Sequence, residues 1–471
     1  MRLAPVLIAA LLALPAPAHA APKRPPTRVP AGLDETITTP HFLVHYTTAA
    51  GSPSAVTAAH AQELADAGER GYAKEVTEWG FPAPPDDGDG RTDIYVFDGG
   101  DAFAVPDSNG DTTTSYISYS PTANQGHIPH EFFHVIQFGF TTHEFGWLVE
   151  STADWAAVGT GAGYSSSKPF AYAHPEVPLD CTGPADTDCA GDRYGYHGNV
   201  FWESLTERFG AGLVREVFTR AGELDAPDNT SHALQALGDV LAAHGTTIDR
   251  AFGDFAIASW AGTLTLPGLA ALRPDLDSDH VADNRPEHFT IGVDHLSAKY
   301  VQLSSGVERC AKATLHLTAT VPAGGTAALV DGAEVTPLAS GAPLTRTMNG
   351  CDNAGTLVLA NGSLATDAAP FVIDVQLAQA PAPVPRASII AVEGARPGHA
   401  LHLTVRSTAA GEYRLDLGKM SWNGTLHKGT NHLAARLPRR TKPGRRSLTL
   451  TTYSPSGHRG TPVRHAVRIK R

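Results

Sequence analysis

The chain has 471 residues, of which 42% are hydrophobic, with 46 Gly, 35 Pro and a formal net charge of -12. That length points to about two to four domains, and the apolar content is enough for packed cores, which excludes a wholly disordered chain. The acidic balance argues against nucleic acid as a partner, and no run beyond the N-terminal segment is apolar for long enough to span a membrane.

Taken in chain order, residues 1–20 pair one basic residue (Arg2) with a short apolar run and an Ala18-His19-Ala20 ending. This reads as a secretory signal peptide cleaved after Ala20, so a secreted, extracellular protein is expected. Residues 21–38 are Pro-rich and basic and read as a linker. Alternating apolar residues predict strands over 39–46, 93–97 and 116–119. Helical spacing marks 54–80, opened by Ser54 as a cap, and then 129–138, 148–157, 199–221, 232–244 and 248–261. Strands followed by helices give an α+β domain over 39–289.

Beyond residue 289 the apolar period switches to two, with Thr, Val and Leu between Gly/Pro turns. Segments 300–303, 313–319, 356–360 and 371–377 predict a β-sandwich over 290–377. The Pro/Ala run 378–385 reads as a stiff linker, and 386–471 as a second small all-β domain. This last region has 17 Lys+Arg against 3 Asp+Glu, a balance of +14, which leaves -26 on the rest. Such a basic domain can meet an anionic cell-wall polymer, or simply offset the acidic part. Four cysteines fall in two regional pairs, Cys181 with Cys189 and Cys310 with Cys351. In an exported chain these suggest two disulfides.

The chemistry concentrates in Gly126-His127-Ile128-Pro129-His130-Glu131-Phe132-Phe133-His134. On a helix, His130 and His134 lie four apart on one face and can offer two imidazoles to a zinc ion, with Glu131 beside them. Zinc brings the pKa of a bound water to about 7, where a carboxylate can take its proton. Pro129 stands directly before the first His, so the motif is expected to start its helix rather than lie within it. A second apolar helix carries Glu150 and Asp154, again four apart. A catalytic zinc needs a third protein ligand, which Glu150 supplies. Asp154 can then accept the free N–H of a ligating His, and Asp154 as the third ligand is the rival arrangement. Glu144 falls in the connection between the helices. Phe140 stands where a metzincin would place its third His.

This HExxH…ExxxD pairing resembles the gluzincin metallopeptidases. The wording His130-Glu-Phe-Phe-His-Val-Ile-Gln-Phe with Trp147-Leu-Val-Glu-Ser-Thr-Ala-Asp is similar to hyicolysin-like and related secreted bacterial metalloproteases. The resemblance spans roughly residues 40–290 and is specific at the two helices. It implies a zincin-like metalloprotease domain acting on protein or peptide substrates. His130, His134 and Glu150 would bind zinc, Glu131 would be the base, and Asp154 would support a ligand from behind. Such enzymes add a Tyr or His that holds the oxyanion, and Tyr196 at the start of a long helix is the best match, with Tyr194 and His197 also open. The strand over 116–120 would pair with extended substrate.

Asp/Gly-rich runs at 86–90, 107–111 and 275–279 have the alternating oxygens of a calcium loop, but none fits the EF-hand, and metal-free turns of this composition are the commoner case. A non-catalytic cell-surface or cell-wall binding protein with a relic zincin domain is the alternative to a peptidase.

Overall fold

The computed structural model describes residues 30–108, 110–144, 146–162, 173–181, 194–224, 232–264, 274–282, 285–305, 313–348, 354–379, 384–454 and 459–470. The expected signal peptide and most of the linker after it lie outside these residues, as do Cys189, Cys310 and Cys351. Cys181 is buried, and neither expected disulfide has both ends among the described residues. No helix among them is long and apolar enough to cross a membrane. The chain divides into two compact units, the first running to Ala251 and the second taking up at Phe252 and again at Arg273.

The first unit places its strands ahead of its helices, except for one helix that crosses over between the second and third strands. Its strands are β1 (Glu35–Thr38), β2 (Phe42–Tyr46), β3 (Thr92–Val96), β4 (Phe103–Pro106) and β5 (Ser115–Tyr119). They form one sheet in the order β1-β2-β3-β5-β4. The inner pairs β2–β3 and β3–β5 are parallel, whereas β1 and β4 run antiparallel to their neighbours at the two edges. Residues 35–38, expected as linker, are therefore a strand: Glu35–Thr38 pairs residue for residue with Leu43–Tyr46. The alternation of this short segment is masked in sequence by the Pro-rich residues before it.

Helix α1 (Ala58–Tyr72) starts one turn later than Ser54, because Thr57 supplies the cap by accepting the His60 N–H at 3.1 Å. It runs into a single π-helical turn, Ala73–Glu78. Next come α2 (His127–Gln137) and α3 (Trp147–Gly159), both almost entirely buried. The single helix expected over 199–221 is two, α4 (Asn199–Phe209) and α5 (Gly212–Leu224). Gly210 breaks it by adopting φ 86°, a left-handed conformation that ends the helix and that a side chain would strain. Helices α6 (Ala233–Ala243) and α7 (Ile248–Ala261) complete the series.

The π turn holds a conspicuous buried acid. Glu75 is fully inaccessible, and neither carboxylate oxygen has a hydrogen-bond partner. A Cβ built on Gly71 would lie 3.5 Å from Glu75 Oε1 and 3.3 Å from Phe132, so the carboxyl is packed between α1 and the motif helix. Burial pushes its pKa well above the usual carboxylate range, against a smaller opposing pull from His130. A carboxyl raised in the folded state stabilises below its unfolded pKa and loses that contribution as pH rises through the folded value. Glu75→Met should therefore stabilise the fold by about 1–3 kcal/mol of relieved desolvation at neutral pH and so raise the melting temperature, with the gain shrinking toward pH 4. Thermal unfolding of both proteins across that range checks it, and a variant that melts lower at pH 7 refutes it.

The second unit is all-β apart from the end of α7. Its first part begins before residue 290, with β6 (Ser278–Ala282) and β7 (Glu287–Val293). It continues through β8 (Ser297–Ser305), β9 (Ala313–Thr320), β10 (Gly325–Asp331), β11 (Glu334–Pro337), β12 (Pro343–Met348), β13 (Gly355–Asn361) and β14 (Ala369–Gln379). Two sheets, β11-β10-β13-β8-β6 and β12-β9-β14-β7, enclose a core that includes Leu315, Leu357, Leu359 and Phe371. The expected boundary at 289 moves upstream because α7 joins this part: Tyr300 donates its hydroxyl to the Ala256 carbonyl at 3.0 Å and stacks on Trp260.

The expected linker 378–385 is shortened at both ends. Residues 378 and 379 finish β14, and the Pro385 carbonyl accepts the Thr452 hydroxyl at 2.5 Å. The C-terminal part has its own core, with Leu401, Leu403, Leu415 and Leu448. Its strands are β15 (Ala387–Glu393), β16 (Ala400–Ser407), β17 (Gly411–Leu417), β18 (Met420–Leu426), β19 (Gly429–Arg436), β20 (Gly444–Tyr453) and β21 (Val463–Ile469). They form the sheets β15-β16-β19 and β18-β17-β20-β21. The coarse expectation of an α+β domain followed by two all-β parts therefore describes the chain.

Candidate metal centre

Helix α2 begins at His127, which places Pro129 in the first turn. The first amides of a helix have no intrahelical acceptor, so proline is tolerated there. Those of His127 and Ile128 are instead bonded to the carbonyls of Asn124 and Gln125. The motif starts its helix, as Pro129 suggested, and His130 and His134 still share one face. The opposite face carries Phe132, Phe133 and Ile136 into the core, where Phe133 meets Phe81 and Trp155 edge-on. These contacts hold the helix in place behind its polar residues.

Helix α3 lies against α2 and brings Glu150 to the two histidines. The Glu150 Oε2 atom is 3.3 Å from His130 Nε2 and 3.4 Å from His134 Nε2, and the two Nε2 atoms are 3.0 Å apart. Ligand atoms about 2.0–2.1 Å from a tetrahedral zinc ion stand about 3.3–3.4 Å from one another, so this triangle fits a three-ligand zinc set. Glu150 Oε2 is sealed from solvent and has no hydrogen-bond partner, an orphan acceptor that a cation would satisfy. Among the described residues, His130, His134 and Glu150 are the one group whose ligand atoms converge in this way. At the acidic run 86–90, by contrast, Asp86 accepts the Gly88 and Gly90 amides at 2.8 Å each, which is the bonding of a closed turn.

Each histidine is fixed from behind. His130 Nδ1 is 2.9 Å from Asp154 Oδ1, so Nδ1–H donates to the carboxylate and the Nε2 lone pair of the neutral ring is left to face a metal. His134 Nδ1 lies 2.7 Å from Gln137 Oε1. The Gln137 amide in turn donates to the Val149 carbonyl at 3.0 Å and the Thr152 hydroxyl at 2.9 Å, both on α3. Gln137 is not among the site residues expected from the sequence, although its position one helical turn past His134 is a readable signal.

The electrostatics favour a cation at this point. Burial works against charge on His130, but the neighbouring carboxylates of Asp154, Glu150 and Glu131 together outweigh it and raise its pKa well above the usual value. His134 is raised in the same way, against burial, mainly by Glu150. Burial alone would raise Glu150, yet the charge of His134 and the contact with His130 hold it well below the carboxylate range. With Glu131, Glu150 and Asp154 around two imidazoles, the site is strongly anionic once the histidines are neutral.

Glu131 is also buried, and its Oε2 accepts the Ala104 N–H of β4 at 2.7 Å. That contact links the carboxylate to the free edge of the sheet. It also corrects the expected substrate strand: β5 is paired on both sides, by β3 and β4, so its ladder is full, whereas β4 is the edge.

Tyr196 is brought to the same place by a 3-10 turn, Tyr194–Gly198, that rides on α3. The close approach needs Gly198, where a Cβ would lie 2.9 Å from Ser151 Cβ. Helix α4 anchors the turn through Trp202, which stacks on Trp147 and donates its indole N–H to Ser151 at 2.8 Å. The Tyr196 ring is 5.9 Å from that of His130 and nearly parallel to it. Burial, then the charge of Glu150, pushes the Tyr196 phenol up, so it stays a neutral donor. The side chains of Tyr194 and His197 lie outside what the structure describes.

No protein-family model matches the sequence, and no curated protein matches it significantly. Among solved structures, the Endo-D glycoside hydrolase domain from Streptococcus pneumoniae R6 aligns at 12% identity and TM-score 0.18, over 38% of this chain and 33% of that one. The fibronectin(III)-like modules of Clostridium thermocellum CbhA align at 11% identity and TM-score 0.19, over 42% of this chain and 91% of theirs. A beta-1,2-glucanase from Parabacteroides distasonis aligns at 10% identity and TM-score 0.14, over 37% and 30%. The chain thus spans about a third of the length of the two glycoside-active proteins. Scores this low carry no argument about fold or activity.

Proposed function

We propose that this chain is a secreted zinc-dependent metallopeptidase with a zincin-like first domain. The observation that carries the reading is the convergence of His130, His134 and Glu150 on one point with the Glu131 carboxylate alongside. Three protein ligands leave a fourth position open, which is the arrangement of a catalytic rather than a structural zinc. A bound zinc ion supplies Lewis acidity toward a carbonyl oxygen. The chain's own groups supply the rest. Glu131 takes a proton from the attacking water and passes it to the leaving amine, and the Ala104 N–H keeps its carboxylate oriented. Tyr196 offers its hydroxyl to the oxygen on which charge develops. The outward amides of the β4 edge are bonded at Ala102 and Ala104 and missing at Pro106, so an extended peptide laid along it would donate its own N–H groups to the strand's outward carbonyls.

Metal removal tests the reading. The purified full chain should cleave members of a peptide library, lose that activity on dialysis against a chelator, and regain it when zinc is returned. Cleavage that survives the chelator with no bound metal would refute it. A protein that contains no zinc and cleaves nothing would favour the non-catalytic surface protein instead.

A further inference from the structure

The geometry points to a second binding site, unconnected with the metal centre: the outer face of the strand pair β20–β21 binds a phosphodiester-linked polyol or sugar polymer through Arg445, Arg468 and Arg464. In the register of these strands Arg445 stands directly opposite Arg468. Both are exposed, and alternation places them on the solvent side of the sheet, away from Leu448 and Leu450. Like charges directly opposed on one face destabilise a sheet. Of the region's three acids, Glu393, Glu412 and Asp416, the last is engaged by Arg414 at 3.0 Å. Among the described residues, neither Arg445 nor Arg468 forms an ion pair. An opposed arginine pair with no ion-pair partner among the described residues is the arrangement an anionic ligand would stabilise.

The same face continues to Arg464, opposite Thr449, with Ser447 and Ala466 facing each other in between. Arg464 and Arg468 are four residues apart, about 13 Å along a strand. A shallow groove of ≈ 470 Å³ at this strand pair is lined by Arg445, Arg446, Ser447, Arg464, His465 and Ala466, and Arg468 stands opposite Arg445 beside it. One small anion cannot reach both ends, whereas a linear polymer with repeating charges can. Each guanidinium fork matches the two free oxygens of a phosphodiester, and the Ser447 hydroxyl adds a donor midway. The groove has no Phe, Tyr or Trp on which bases could stack, so the polymer that fits is one without nucleobases.

Titration of the full chain with poly(glycerol phosphate) tests this. Arg445→Gln with Arg468→Gln should weaken binding by about tenfold or more, the loss of two charge-assisted contacts. Arg406→Gln with Arg436→Gln removes the same charge from exposed positions on β16 and β19, and should change affinity by less than about twofold. Arg464→Gln, which leaves the opposed pair in place, should also weaken binding. Relief of like-charge repulsion means the 445/468 variant should melt no lower than the parent. Polygalacturonate and single-stranded DNA should both bind more weakly than the phosphate polymer. The site is refuted by absence of binding, by equal loss in the two double variants, by an unaffected Arg464→Gln protein, by a lower melting temperature of the 445/468 variant, or by DNA or polygalacturonate binding as tightly.

Discussion

Glu131→Gln should abolish peptide cleavage while leaving the metal content unchanged. The glutamine keeps the shape of the side chain and keeps a carbonyl oxygen that can accept the Ala104 N–H, which the glutamate accepts at 2.7 Å. It cannot take a proton. Glu131 is not among the three atoms that form the ligand triangle, so the triangle persists. General base catalysis contributes typically about 10²–10⁴-fold, and a drop of that size in kcat with little change in KM is the expected signature. Measured zinc content and kcat on one preparation decide the matter. Full activity with Gln at 131 would remove the base, and loss of zinc would make Glu131 a ligand instead.

The sequence exposes the part of this site that obeys one helix's geometry. His130 and His134 fall on one face of α2 because they are four apart, and Pro129 correctly marks the first turn. The β parts are legible for the same reason: a period of two survives in segments such as Ala313–Thr320, whose burial alternates along its length. What depends on a second element is not legible. Ala104 matters only because β4 lies beside α2, and Phe-Ala-Val-Pro, four residues ending in proline, carries too little alternation to be read as a strand. Gln137 sits at a readable spacing, but its role needs Val149 and Thr152 from α3. The break at Gly210 is hidden by the apolar spacing that α4 and α5 continue across it, although Phe209-Gly210-Ala211-Gly212 holds the two glycines that permit it. The third ligand belongs to the same class. Glu150 and Asp154 are equivalent by spacing, one turn apart on α3, and only the distances separate them.

That separation predicts opposite behaviour for the two acids. Glu150 Oε2 is 3.3 and 3.4 Å from the two Nε2 atoms, whereas Asp154 meets His130 at Nδ1, the far nitrogen of the ring. Asp154→Ala should weaken zinc by about 10–100-fold, the usual cost of removing a group that orients a ligand. Glu150→Ala removes a ligand and should weaken zinc well beyond that range, taking peptidase activity with it. The metal-free proteins differ too. Without Asp154 the buried Nδ1–H of His130 has lost its acceptor, an unsatisfied donor that costs about 1–3 kcal/mol of stability. Zinc titrations of the two variants, with thermal unfolding of their metal-free forms, read both effects. If the Asp154→Ala protein binds zinc more weakly than the Glu150→Ala protein, the roles are reversed: Asp154 becomes the third ligand, and Glu150 drops out of the set.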